Sequence, residues 1–225
     1  MVFCLSKRVN KAKQPQSLRS LDSLAVARFM HGCAIVTQNN QQQVCRCLRR
    51  QAQPENFMNL KIRNENNGDI KAIEKVTIEA FLNAPHTDHT EQYIVRELRD
   101  SGVLSVSLIA ENQGEIVGHV AISPVTISDG AKGWFGLGPI SVSPNIQRSG
   151  IGTKLMLSVL EVLRNSGASG CVLLGDPAYY SRFGFKPESC IVYPDVPPEY
   201  FQAIQFSGLL PNGTVTYHEA FNAKA

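Results

Sequence analysis

Between positions 134 and 165 the chain must pass from an apolar strand through a glycine turn straight into a helix, and that order restricts the fold more than any other feature. Residues 134–142 are apolar and broken by Gly136, Gly138 and Pro139. After Gly150-Ile151-Gly152 comes a helix with Leu155, Met156, Val159, Leu160, Val162 and Leu163 on its buried side. Glycines at 150 and 152 let the backbone approach a ligand with no Cβ in the way. The first turn of a helix leaves N–H groups unpaired and carries partial positive charge. The pattern therefore predicts a phosphate or pyrophosphate site, with Arg148 and Thr153 as side-chain help. It lacks the lysine-bearing spacing of a P-loop and the third glycine of a dinucleotide fingerprint.

The remainder divides at residue 57. Residues 1–57 hold nine Lys/Arg against two acids, a net +7, whereas 58–225 hold 13 basic and 17 acidic side chains, a net −4. The first segment has no sustained hydrophobic period and includes the polar tract 38–43, so it reads as a basic N-terminal segment with little means to offset its ordering entropy. Three readings stay open: a disordered tail, a basic presequence, or an extension upstream of a natural start at Met58. From 58 to 225 the period is clear. A short strand near 60–63 leads to helices over 70–81 and 91–100. Strands over 104–111, 115–127 and 134–142 precede the long helix, and 171–174 is a short, wholly apolar strand. One or two helical turns at 179–182 are followed by strands over 185–193, 200–206 and 214–221. The result is a mixed α/β domain, large enough to hold together without a disulfide or metal.

Gln147-Arg148-Ser149-Gly150-Ile151-Gly152 resembles the Gln/Arg-x-x-Gly-x-Gly/Ala motif of the GNAT superfamily of N-acetyltransferases. The resemblance extends to 114–119, 136–142 and Tyr180-Ser181-Arg182-Phe183-Gly184-Phe185, in matching order and intervals. Segments 172–180 and 213–221 are similar to the YhbS-like branch of that family, so the match covers about residues 59–222. It implies a mostly antiparallel mixed sheet, splayed between its fourth and fifth strands and flanked by helices. It further implies acetyl-CoA as co-substrate, with the pantetheine arm along the backbone of Ile140, Ser141 and Val142. The pyrophosphate would then lie at Gln147, Arg148, Ser149, Gly150, Ile151, Gly152 and Thr153.

Acetyl transfer needs a neutral amine, a stabilised oxyanion and a proton for the departing sulfur. By the resemblance Tyr180 stands where the family often carries a tyrosine as general acid, and a phenol remains protonated at neutral pH. Tyr179 is the lesser candidate. For the base, Asp176, His119 and Glu79 each have a structural reading beside the functional one: a helix start, a satisfied strand histidine and a solvated face. No residue is assigned. His86 and His89 lack further ligands, so no metal is expected. Cys171 and Cys190 give no sign of a covalent acyl-enzyme.

The expected reaction is direct transfer of an acetyl group from acetyl-CoA to a primary amine. The alternative is an acyl-CoA-binding regulatory module without useful turnover. The amine belongs to a small molecule or a protein, and the negative body favours a cationic acceptor. Nothing past residue 57 has the positive field of a nucleic-acid binder, and no apolar run among the first sixty residues is long enough for a membrane span. A cytoplasmic protein with reduced thiols is expected, and the resemblance leaves room for a homodimer.

Overall fold

The computed structural model describes residues 59–85 and 87–224. The three readings of residues 1–57, and any part played by His86, lie outside the described residues. Strand β1 (Lys61–Asn64) leads to helices α1 (Ile70–Phe81) and α2 (Glu91–Asp100), then to strands β2 (Val106–Asn112), β3 (Glu115–Ile127) and β4 (Trp134–Val142). Helix α3 (Ile151–Asn165), strand β5 (Gly170–Leu174) and the single-turn helix α4 (Pro177–Tyr180) come next. Strands β6 (Ile191–Val192), β7 (Phe201–Gln205) and β8 (Gly213–Tyr217) complete the sheet.

The sheet runs β1-β2-β3-β4-β5-β7, antiparallel except for the parallel β4–β5 pair. That pair is short. Trp134, Phe135 and Gly136 align with Gly170, Cys171 and Val172, and there the register ends. From Leu137 to Val142, β4 stays joined to β3 alone, while Leu173 and Leu174 stay joined to β7. The two strands part at the expected place, opening a split whose β4 edge presents backbone groups with no strand opposite.

Each face of the sheet has its own core. Ile151, Leu155, Met156, Val159, Leu160 and Leu163 of α3 pack with Leu108, Val120, Ile140 and Leu173 on one face. Burial of such side chains contributes about 1.5–3 kcal/mol each, which is why α3 holds its place. On the other face Ile73 of α1 and Ile94, Val95 and Leu98 of α2 pack with Ile109, Ala121, Trp134 and Val172. Helix α1 is anchored at its start. Arg63 forms two bonds to Asp69, at 2.6 and 3.0 Å, and a third to Glu111 at 2.8 Å.

Two elements differ from the sequence expectation. Of the strand expected over 185–193 only Ile191–Val192 forms; Lys186 makes one bridge to Ala203, and then Pro187, which has no N–H, ends the ladder. The strand expected to reach 221 stops at Tyr217. There the His218 ring accepts the Ala220 N–H through Nδ1 at 3.2 Å and turns Glu219–Asn222 into a 3-10 helix.

Candidate active site

A cleft of about 620 Å³ lies where β4 leaves β5, between the start of α3 and α4. Its walls include Ile140, Val142, Gln147, Arg148, Gly150, Gly152 and Thr153 from the sequence-predicted set. Gly150 has φ +90°, a left-handed conformation that glycine adopts without a steric penalty, and it turns the chain into the helix. No side chain caps α3, so the N–H groups of its first turn have no capping partner. Gln147 ties the loop back to β4 by donating from Nε2 to the Val142 carbonyl at 3.1 Å. Arg148 is exposed at the mouth and itself holds φ +64°.

The other predicted residues offer backbone rather than side chains. Ile151 is buried in the α3 core. Ser141 points to the opposite face, its hydroxyl 3.3 Å from that of Thr77. The Ser149 hydroxyl donates to the Ile146 carbonyl within the turn. Tyr179, the lesser candidate for the acid, lines the cleft together with two residues that were not singled out from sequence, Ala178 and Arg182. Tyr179 and Arg182 stand three apart, so a helical turn places them on one face, and the Arg182 guanidinium lies 4.5 Å over the Tyr179 ring. That spacing was readable. The Tyr179 hydroxyl faces Thr153, and burial pushes its pKa upward. A Cβ on Gly152 would come 3.0 Å from that same hydroxyl, so the glycine is what leaves room at the helix start.

Tyr180 lies on the other side of α4. It is 1% exposed and packs edge-on against Tyr179 and Phe185. Its ring covers Gly175 so closely that a Cβ there would come 2.1 Å from Cε2. Gly175 immediately follows the last residue of β5, so Tyr180 belongs to the β5 side of the split. Gln202 of β7 steadies the same point by donating from Nε2 to the Gly175 carbonyl at 2.9 Å.

The candidate bases sort clearly. Asp176 lines the cleft, and its carboxylate caps α4 by accepting the Ala178 N–H at 2.9 Å. Glu79 stands on a partly exposed face beside Lys75, 3.9 Å away. His119 is wholly buried on β3, and burial pushes its pKa down to about 4. Neutral at ordinary pH, it makes no ion pair with Glu65 at 3.9 Å. Arg99 donates to both Glu65 oxygens at 2.8 and 2.9 Å and, with Ser107, holds that carboxyl below the usual range against its own burial, which raises it. Glu65 can therefore only accept, so Ser107 donates to it. Ser107 in turn accepts from the Nε2–H of His119 at 2.8 Å. This chain fixes the tautomer and makes His119 a member of a buried structural network. Among the described residues no group of three or more His, Cys, Asp or Glu could hold a metal ion, and no helix is long and apolar enough to cross a membrane.

Comparison with known proteins adds four findings. The Acetyltransferase (GNAT) family model matches residues 70–185. The N-acetyltransferase YhbS of Escherichia coli is 32% identical over 160 residues, covering 67% of this chain and 94% of the relative. Its crystal structure in complex with CoA superposes with a TM-score of 0.66, covering 74% of this chain and 93% of that one. A GNAT family acetyltransferase from Brucella melitensis, solved in complex with acetyl-CoA, is 45% identical with a TM-score of 0.65. That match covers 72% of this chain and 97% of the relative.

Proposed function

The chain belongs to the GNAT acetyltransferase family, and from that premise we propose that it transfers an acetyl group from acetyl-CoA to a primary amine by direct attack. The observation that carries this reading is the cleft itself. A left-handed glycine turn, an uncapped helix start and an unpaired strand edge converge on one opening. Both relatives described above were solved with CoA or its acetyl ester.

The residues fit such a co-substrate on three counts. Absence of a Cβ at Gly152 keeps the helix start open beneath the Tyr179 hydroxyl. The first-turn N–H groups of α3, with Arg148 and Arg182 at the cleft, supply donors and positive charge for a pyrophosphate. The free β4 edge from Ile140 to Val142 offers backbone partners to the amides of an extended pantetheine arm. Acetyl-CoA supplies an acetyl group activated as a thioester.

The reaction forms an amide C–N bond and breaks a C–S bond, and sulfur leaves as a thiol only when it takes up a proton. Tyr180 is the proposed donor of that proton, placed by Gly175 at the β5 side of the split. A phenol carries its proton at ordinary pH and so has one to donate. No side chain is assigned as base; the acceptor amine loses its proton to water.

Release of free CoA thiol from acetyl-CoA, followed with a panel of primary amines, tests the activity. Tyr180→Phe is expected to lower kcat by about a hundredfold with acetyl-CoA affinity unchanged. Tight CoA binding with no thiol release on any amine would favour a regulatory acyl-CoA-binding module instead.

A further inference from the structure

A second cavity, of about 250 Å³, lies between the segment after β6 and the C-terminal end of β8, among residues that the cofactor cleft does not use. Its walls are aromatic and acidic: Tyr193, Asp195, Tyr217 and Phe221, with His218 and Asn222 at the side. Tyr217 meets Tyr193 edge-on at 5.5 Å and Phe221 at 4.8 Å, so the three rings form one continuous aromatic wall of the cavity. Asp195 brings a carboxylate to that space and is held at φ +64°, a conformation that few side chains adopt without cost. No lysine or arginine lines the cavity. Among the described residues this combines π faces and negative charge in one recess, which is the chemistry that holds an organic cation.

Its place in the fold ties it to the reaction. A Cβ on Gly136 would come 2.3 Å from Tyr217 Cε1, and Gly136 is the last residue of β4 in register with β5. Tyr193 stacks on Phe201 at 5.5 Å, and Phe201 pairs with Leu174, the last residue of β5. The aromatic wall thus reaches from the base of the split to the end of β5. It does so on the face carrying α1 and α2, whereas the cofactor cleft belongs to the α3 face.

We propose that this pocket anchors an ammonium group of the acceptor, and that this ammonium is not the one acetylated. An ammonium has no lone pair and cannot attack a thioester, so a cation held against this aromatic wall beside a carboxylate must be a second one. The acceptor is therefore a small molecule carrying two amines: one anchored here as a cation, the other delivered neutral to the split. This inference rests on the acetyltransferase reading and narrows it to a class of acceptor. Burial and the neighbouring Asp195 charge both oppose ionisation of Tyr193, which keeps its ring neutral and its face available.

The test uses the full chain saturated with CoA, titrated calorimetrically with 1,5-diaminopentane and with n-pentylamine. The diamine is expected to bind at least about tenfold more tightly. The gap should close in Asp195→Asn and shrink in Tyr193→Leu, with CoA affinity unchanged in both. Equal binding of the two amines, or a gap that survives Asp195→Asn, overturns the proposal. A lysine peptide binding as tightly as the diamine also overturns it, in favour of a protein acceptor. Failure of CoA itself to bind would instead strike the acetyltransferase reading; the pocket is then scored on the same two amines with the free protein.

Discussion

The two faces of the sheet are assembled in opposite ways. On the α3 face the strand, turn and helix that shape the cofactor cleft come from one stretch of chain, 134 to 165. On the α1 face the polar groups come from far apart: Arg99 reaches Glu65 across 34 positions, Ser107 reaches it across 42, and Thr77 meets Ser141 across 64. A ligand common to a whole family can be met by a contiguous motif. The polar network of the α1 face, in contrast, exists only where the tertiary fold brings its members together.

The sharpest way to break this contrast is Gly152→Asp. Its Cβ would crowd the Tyr179 hydroxyl, and its carboxylate would occupy the place proposed for a phosphate. Acetyl-CoA affinity should fall by more than about a hundredfold in calorimetry. The fold should hold, because an acid in the first turn of a helix is favourable to the helix. Loss of binding with an unchanged Tm separates the cleft from the core; loss of both would mean the turn is structural.

The α1 face has its own signature in pH. Unfolded, His119 takes up a proton near pH 6.5; folded, it does so only near pH 4. Protonation therefore favours the unfolded chain, and stability falls as pH drops from 6.5 towards 4, by about 3 kcal/mol from this group. Above pH 6.5 the group contributes no pH dependence. The lowered carboxyls of Glu65 and Asp69 lose their contributions at lower pH, as they protonate. Urea unfolding from pH 7.5 to 4 should show a shallower loss in His119→Gln, whose amide can still donate to Ser107. Parallel curves would contradict the buried neutral assignment.

What the sequence made legible follows the same division. Helix α2 and strands β3 and β4 form over the residues that their periods indicate, and β4 and β5 part as the family resemblance implies, although only the structure shows that their register ends at Gly136. The turn residues Gln147 to Thr153 are contiguous, so their clustering needed no fold. Tyr193, Tyr217 and Phe221 carried no such signal: each sits in an ordinary apolar pattern, and only the parallel pairing of β6 with β8 brings Tyr193 to the other two. The 3-10 helix at Glu219–Asn222 was missed because its cap is a histidine, a residue with weak capping preference.

A smaller effect sharpens the division within α4. Tyr179→Phe removes a hydroxyl facing Thr153 on the cofactor side and should weaken acetyl-CoA by only a few-fold, with kcat at saturation nearly unchanged. Neighbouring tyrosines would then separate by function: one acting on binding, the other on rate.

Hydrogen–deuterium exchange of the full chain, with and without acetyl-CoA, tests the central claim most directly, because it reads both faces at once. The account predicts slowed exchange at the β4 edge from 138 to 142, through the turn to 153, and at 175–182. Amides around Tyr193, Tyr217 and Phe221 should remain unchanged until an amine is added. Protection confined to the aromatic pocket, or none at the glycine turn, would contradict it.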